Sequence, residues 1–165
     1  MRNGLVAAFS LLALASCAST RETVTASGSA PVEMHILAIN DFHGNLEPPS
    51  SGGKVFNPAT PREWGMVPAG GAPRLATAVA QLVARNPANT IMVAAGDLIG
   101  ASPLLSSLFH DEPTIESMSK MGLALTSVGN HEFDEGWQEL RRMQTGGCHP
   151  LDGCKGPAQF KGAEF

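Results

Sequence analysis

Short apolar segments alternate with amphipathic ones along most of the chain. Three mostly apolar segments, rich in residues that favour β-structure, predict buried strands at 32–40, 89–97 and 123–130. Apolar positions at helical spacing, together with Pro and Gly at segment ends, predict helices at 71–87, 102–110, 112–122 and 134–147. This order of strands and helices predicts an α/β domain, a βαβαβ layer on a largely parallel sheet.

Residues 44–70 separate the first predicted strand from the first predicted helix. They contain many Gly, Pro and Ser and show no hydrophobic periodicity, which predicts a long loop. Loops of this length in compact domains are usually either functional or disordered.

Composition narrows the class of protein. The chain has 165 residues, of which 43% are hydrophobic, and this is enough for one domain with a core. The net charge is -4 and no basic stripe is present, which argues against a nucleic-acid polymer as partner.

The N-terminus has the pattern of an export signal. Arg2 precedes an apolar run at 4–15, which is too short to span a bilayer as a stop-transfer helix. The run ends in "LASC", which resembles a bacterial lipobox and predicts a signal peptide over 1–16 with lipidation of Cys17. Small polar residues then predict a flexible tether over 17–31. We expect an exported envelope lipoprotein that faces the periplasm and is held by its lipid anchor only; a soluble periplasmic protein is the alternative.

Two further cysteines, Cys148 and Cys154, lie in a Gly-rich segment near the C-terminus. In an oxidising compartment this close spacing predicts a local disulfide. A partial metal site that includes His149 and a pair of free thiols are the alternatives, although two Cys and one His at this spacing match no standard zinc pattern.

Each predicted strand ends in residues that can bind metal. Asp41 and His43 follow the first strand, Asp97 follows the second, and Asn130 follows the third. Ligand sites in open parallel sheets lie at the carboxyl ends of the strands, so these side chains should converge. Asp41 and His43 are two apart, and on an extended backbone they would point the same way.

These residue types suit a pair of divalent ions. A carboxylate that bridges both ions would hold them about 3.5–4 Å apart, and such a pair activates water for attack on a phosphoryl group. Asp97 is the natural bridge because its strand should lie between the others. Taken singly, Asp41 and Asn130 could instead cap turns, and His43 or His131 could be a hydrogen-bonded structural residue.

Three motifs carry a resemblance to a known family. "NDFHGN", "GDLIGAS" and "GNHEFD" resemble the first three blocks of the calcineurin-like metallophosphoesterase superfamily. "GNHEFD" together with "GGAPRL" resembles more closely the bacterial 5′-nucleotidase / 2′,3′-cyclic phosphodiesterase family of exported enzymes. The resemblance covers about residues 34–146 and implies the N-terminal half of a metallophosphoesterase-type sandwich.

The resemblance implies four metal ligands. Asp41 and His43 would bind the first ion, Asp97 would bridge both ions, and Asn130 would bind the second. The ions would be two divalent metals, chosen from Mn, Zn, Co and Fe, and the substrate would be a nucleotide or another phosphoester.

The resemblance also implies catalytic roles. His131 would stabilise charge on the phosphoryl group and protonate the leaving oxygen, and Asp134 would orient His131. Arg74 would help to organise the edge of the site. Glu132 matches the family pattern, but the sequence assigns it no chemistry.

The chain departs from the family after His131. The family has a second half with a Gly-His-x-His block, whereas His149 is the one later His in this chain. We therefore expect residues 32–165 to be a truncated N-terminal part of the catalytic domain, with little or no activity alone. The alternative is a non-catalytic envelope lipoprotein that binds a metal or a partner.

Overall fold

The computed structural model describes residues 30–56 and 64–165, and residues 33–165 form one compact unit. The predicted signal peptide and Cys17 lie outside the described residues. Within the part of the chain that is described, no helix has both the length and the apolar character needed to cross a membrane.

The predicted α/β class is confirmed. In chain order, the strands are β1 His35–Ile39, β2 Gly53–Phe56, β3 Trp64–Val67, β4 Thr90–Ala94 and β5 Leu123–Thr126. The helices are α1 Ala72–Val83, α2 Leu104–Ser107, α3 Glu112–Met121 and α4 Trp137–Thr145. Two short 3₁₀ turns lie at Pro87–Asn89 and His131–Phe133.

Three of the strands form a parallel sheet in the order β1-β4-β5. The register pairs His35 with Thr90 on one side of β4 and Met92 with Leu123 on the other. The central position predicted for the strand before Asp97 is therefore confirmed. All three strands run towards the same edge of the sheet, and the candidate metal ligands follow the strands there.

One face of this sheet carries the core. Leu37 of β1 packs towards Met92 of β4, and the helices contribute Val79 and Met118 to the same cluster. Successive strand residues face opposite sides of a sheet, so Ile36 points the other way and is 67% exposed. Leu125 of β5 is 52% exposed. In the described residues, then, the helices cover the sheet on one face.

The helices are shorter than predicted, and α2, predicted over 102–110, spans only Leu104–Ser107. The first helix was predicted to reach residue 87, but α1 ends at Val83 and a separate 3₁₀ turn carries Pro87. The last helix was predicted from residue 134, but α4 begins at Trp137 because Gly136, with φ of 87°, breaks the chain direction. The spacing of apolar residues does not show where a helix ends when the next residues keep the same pattern.

The predicted loop at 44–70 contains an antiparallel hairpin of β2 and β3, so that prediction was wrong in part. The hairpin's side chains are largely exposed, which explains why the sequence shows no pattern of buried positions. Phe56 and Trp64 meet edge to face at 5.9 Å, and Lys54 lies 5.5 Å from the Trp64 ring. These side chains of the hairpin contact one another and do not pack in the core.

The structure joins Cys148 and Cys154 in a disulfide, with their Cα atoms 4.4 Å apart. His149 and Gly153 exchange two backbone hydrogen bonds inside this loop, at 3.2 and 2.9 Å. The pairing is the local one that the spacing predicts. We call residues 148–154 the disulfide loop.

Candidate metal centre

The pairing of β1 with β4 continues past the ends of both strands. The backbone N–H groups of Asp41 and His43 donate to the carbonyls of Gly96 and Asp97, at 3.2 and 3.0 Å. Gly44 N–H donates in the same way to the next carbonyl along, at 3.0 Å. These bonds hold the segment after β1 against the segment after β4, at the edge where the sequence places the candidate ligands.

The backbone at three of the four candidate ligands has positive φ. Asp41, His43 and Asp97 have φ of 51°, 45° and 51°, a region that residues other than Gly seldom adopt. Such conformations cost about 1–3 kcal/mol each and tend to cluster at functional sites. The extended backbone predicted for Asp41 and His43 was therefore wrong, yet His43 Nε2 still lies 3.8 Å from Asp41 Oδ1.

Side chains from all three strand ends meet in one cluster. His43, Asp97 and His131 each offer one ligand atom, and these three atoms lie within 4.8 Å of one another. The His43 and His131 rings meet edge to face, with centroids 4.9 Å apart. Two imidazoles and a carboxylate form a donor set that suits borderline divalent metals.

His43 is held in the tautomer that a ligand requires. Its Nδ1 lies 3.0 Å from the carbonyl oxygen of Gly100, a pure acceptor, so Nδ1 carries the proton. The lone pair is then on Nε2, the atom that faces Asp41. Ligating histidines commonly have their other nitrogen fixed by such a bond.

Asp97 is positioned by close backbone contacts. Its Oδ1 accepts a hydrogen bond from the backbone N–H of His131 at 3.0 Å. A Cβ atom added at Gly129 would lie 2.1 Å from the same Oδ1, so only Gly allows this approach. A Cβ atom added at Gly96, which has φ of 97°, would lie 2.5 Å from the backbone nitrogen of Gly129.

Asp41 and Asn130 lie at the rim of this arrangement. Asp41 is outside the group of mutually close ligand atoms, and its Oδ2 accepts from the side-chain amide of Asn40. The side chain of Asn130 is exposed, and its carbonyl accepts from Phe133 N–H at 3.2 Å as the 3₁₀ turn begins. Metal binding by these two residues stays a prediction.

His131 and Asp134 form the pair that the sequence predicts. His131 Nδ1 lies 2.7 Å from Asp134 Oδ2, both on the turn that follows β5. This hydrogen bond raises the pKa of His131 above its ordinary 6.5, against a smaller opposing effect of desolvation. The pair therefore favours the imidazolium form of His131.

We expect Asp134→Asn to lower the pKa of His131 because the charged acceptor on Nδ1 is lost. The pKa is raised in the folded state, so the stability that the pair contributes is complete below pH 6.5 and lost as pH rises through the folded pKa. An NMR titration of the His131 ring protons in metal-free protein measures the shift. Glu116→Gln, which removes an exposed carboxylate on α3, should leave that pKa unchanged; an unshifted pKa in Asp134→Asn would contradict the assignment.

Glu132, which matches the family pattern, has a structural role that the sequence does not reveal. It is 7% exposed, and its carboxylate accepts three backbone N–H bonds, from Asp97 at 3.0 Å, Leu98 at 2.8 Å and Gly129 at 2.6 Å. It therefore clamps the segment after β4 to the segment after β5. Its place within "GNHEFD" was the one available signal, because the partners are backbone groups of other segments.

Asp111 is a site residue that the sequence analysis missed. Its carboxylate accepts from Gly100 N–H at 3.1 Å and from the buried Ser106 hydroxyl at 2.5 Å, and Ser106 also lies 2.6 Å from the Thr114 hydroxyl. Since the carbonyl of Gly100 fixes His43, this buried network holds the segment that orients a candidate ligand. Nothing in the sequence pattern links Asp111 to His43.

Comparison with known families gives this arrangement a context. Residues 34–155, most of the chain, match the model of the calcineurin-like phosphoesterase family. The chain belongs to this family. The predicted resemblance to metallophosphoesterases is thereby confirmed, and the family is that of a hydrolase.

Several curated proteins are similar to this calcineurin-like phosphoesterase. An uncharacterised protein in the pqq-V 5′ region of Acinetobacter calcoaceticus is 49% identical, over 80% of this chain and 66% of its own. Endonuclease YhcR of Bacillus subtilis is 38% identical, over 81% of this chain and 10% of its own. A probable 5′-nucleotidase of Treponema pallidum is 33% identical, over 71% of this chain and 18% of its own. The chain thus spans about two thirds of the first relative and a small part of the others.

The family implies divalent metal cofactors, and the residues present fit them. His43 and Asp97 provide an imidazole nitrogen and a carboxylate oxygen close together, and His43 is in the ligating tautomer. The tight approach at Gly129 leaves no room for a side chain over Asp97. We conclude that this edge of the sheet is a candidate metal centre.

Proposed function

We propose that this chain supplies the N-terminal, metal-binding part of a phosphoester hydrolase of the 5′-nucleotidase type that uses two divalent ions. The observation that supports this most directly is the meeting of His43, Asp97 and His131 beside the His131–Asp134 pair. The cluster lies at the carboxyl edge of a parallel sheet, where ligand sites occur in such folds.

Four residues would hold the ions in this proposal. His43 and Asp41 would hold the first, Asn130 the second, and Asp97 both, since β4 lies between β1 and β5. Bound divalent ions lower the pKa of a bound water and neutralise charge on a phosphoryl group. Asp97 and His43 enter the site already fixed by hydrogen bonds to backbone groups.

His131 would act as a proton donor and not as a ligand. A protonated imidazole has no free lone pair, and the hydrogen bond with Asp134 raises the pKa of His131 and so favours that form. The Nε2 atom stays available to give its proton to the leaving oxygen of a phosphoester. A general acid of this kind typically contributes about 10²–10⁴-fold in rate.

The proposed substrate class is nucleotides. One similar protein is named a probable 5′-nucleotidase and another an endonuclease, so phosphoesters of nucleosides are what the names share. The chain covers only part of each relative, so the activity of a whole protein is part of this proposal. The proposed location, the cell envelope, rests on the residues up to Cys17 alone.

The test combines metal binding with hydrolysis. Protein recovered from the envelope fraction with an antibody against residues 71–87 is assayed for Mn²⁺- and Zn²⁺-dependent release of phosphate from AMP. We expect Asp97→Asn to abolish release and to weaken metal binding at least tenfold, whereas Glu116→Gln, an exposed carboxylate on α3, should change neither. Hydrolysis that persists in Asp97→Asn would overturn the proposal, and binding without hydrolysis by a recovered protein longer than residues 1–165 would favour a non-catalytic metal-binding protein.

A further inference from the structure

A second group of histidine and carboxylate side chains lies beside the candidate metal centre. His110 precedes α3, Glu135 and Glu139 lie before and within α4, and His149 belongs to the disulfide loop. One ligand atom from each of these four residues lies within 4.8 Å of every other. None of the four belongs to the cluster of His43, Asp97 and His131. We call this group the His110 cluster.

We propose that the His110 cluster binds one divalent transition-metal ion of the zinc class. Two imidazole nitrogens and two carboxylate oxygens make up a full four-ligand set, which is the usual number for structural zinc. The four ligands come from three separate segments, so an ion would cross-link the residue before α3, the start of α4 and the disulfide loop. This would be a structural ion, distinct from those at Asp97.

The local charge favours a cation. Glu135 and Asp152 flank the His110 ring, and Asp152 is paired with Lys155 at 3.7 Å. Glu139 shares the guanidinium of Arg142 with Glu112. Four carboxylates thus face two cationic side chains, and a dication would neutralise the excess negative charge.

Space for an ion is present next to these ligands. A cavity of about 30 Å³ is lined by three of the four proposed ligands, His110, Glu135 and Glu139; His149 does not line it, and His131 and Asp134 form part of its other wall. About 10–15 Å³ is enough for one water molecule, so the cavity has room for a particle of that size.

The metal-free arrangement must change when an ion binds. His110 Nδ1 lies 3.2 Å from Glu135 and Nε2 lies 2.9 Å from Asp152, and the ring stacks on His149 with centroids 3.8 Å apart and planes 8° apart. The lone pair of an imidazole nitrogen lies in the plane of its ring. One ion cannot lie in the planes of two stacked, parallel rings, so it cannot bind both rings in this arrangement. The stack would open by rotation about χ2, a torsion with broad minima.

Such an ion would stiffen the candidate metal centre. Glu135 follows Asp134 directly, and Asp134 orients His131. Linking Glu135 to His110 and to the disulfide loop would therefore fix the turn that carries the proposed acid.

Zinc stoichiometry tests the proposal without reference to activity. The double variant His43→Ala/Asp97→Asn removes the candidate metal centre, and inductively coupled plasma mass spectrometry after dialysis against Zn²⁺ measures what remains. We expect one equivalent to be retained. Adding His149→Gln or Glu135→Gln should weaken zinc binding at least tenfold, whereas adding Asp152→Asn, which changes a neighbour of the same ring, should not.

A second readout separates metal binding from an ion-pair network and from misfolding. In the double variant, Zn²⁺ should shift the ring-proton resonances of His110 and His149 together as their stack opens, with circular dichroism unchanged. Absence of bound zinc in a folded double variant, or equal retention in His149→Gln, would overturn the proposal. Because the background lacks Asp97, either result leaves the proposed hydrolase function to be judged separately.

Discussion

Arg142→Met is expected to lower the free energy of unfolding by about 3–5 kcal/mol. Arg142 lies on α4 and is 8% exposed. Its Nη1 donates to Glu112 at 2.5 Å and to the carbonyl of Gly147 at 2.8 Å, and its Nε donates to Glu139 at 2.9 Å. Its guanidinium also lies 5.5 Å from the Phe160 ring. The variant would leave the buried carboxylate of Glu112 and the half-buried carboxylate of Glu139 without their counter-charge.

Urea denaturation of Arg142→Met beside Lys120→Met measures this effect. Lys120 has an exposed ion pair with Glu116 on α3, at 3.8 Å, and such pairs contribute about 0.3–0.5 kcal/mol. The triple change Arg142→Met/Glu112→Gln/Glu139→Gln should recover part of the loss, because the carboxylates are then neutral. A loss in Arg142→Met no larger than that in Lys120→Met would show that the buried pairs do not stabilise α4.

Glu132→Ala is expected to destabilise the fold by about 3–9 kcal/mol, since three backbone donors each lose an acceptor at about 1–3 kcal/mol. Oε2 accepts from Asp97 and Gly129, and Oε1 accepts from Leu98. Glu132→Gln should destabilise the fold less than Glu132→Ala. Its amide oxygen can replace one carboxylate oxygen as an acceptor, whereas its amide nitrogen would face a backbone N–H and cannot accept from it. The segments after β4 and β5 should separate, so metal binding at Asp97 should weaken in parallel with stability.

Hydrogen exchange locates this effect. The amides of Asp97, Leu98 and Gly129 should exchange faster in Glu132→Gln than in the unchanged protein, and faster still in Glu132→Ala. Glu116→Ala, at an exposed position of α3, is the control for loss of a carboxylate. Unchanged protection of these three amides would show that Glu132 is not the clamp between the two segments.

The sequence predicts the sheet better than its surroundings. Buried strands such as β4 leave a clear apolar signal, so their order and the edge at which Asp97 and His43 meet follow from general rules. The hairpin of β2 and β3 leaves none because its contacts, such as Phe56 with Trp64, are internal to it. Local pattern also cannot show left-handed backbone such as that at Asp41.

The parts of the site that the sequence missed depend on tertiary contacts. Glu132 and Asp111 bind backbone N–H groups, and every residue carries such groups whatever its side chain. His110 and His149 are 39 positions apart with no shared motif in the sequence, and the fold brings their rings together. Predicting residues of this kind requires the fold first.

The strand order has a consequence for how this domain assembles. β4 and β5 are joined through α3, which packs Met118 and Ile115 into the core beside Leu123, whereas β1 reaches β4 only across the hairpin and α1. The connection from β1 to β4 is longer than the one from β4 to β5, but each doubling of loop length adds only about 0.6 kcal/mol to the entropic cost of closing it. The packing of α3 against the core therefore favours early pairing of β4 with β5 more than the shorter connection does. We expect β4, α3 and β5 to form the folding nucleus and β1 to dock afterwards. The strained segment from Asp41 to His43 would then be among the last to reach its native conformation.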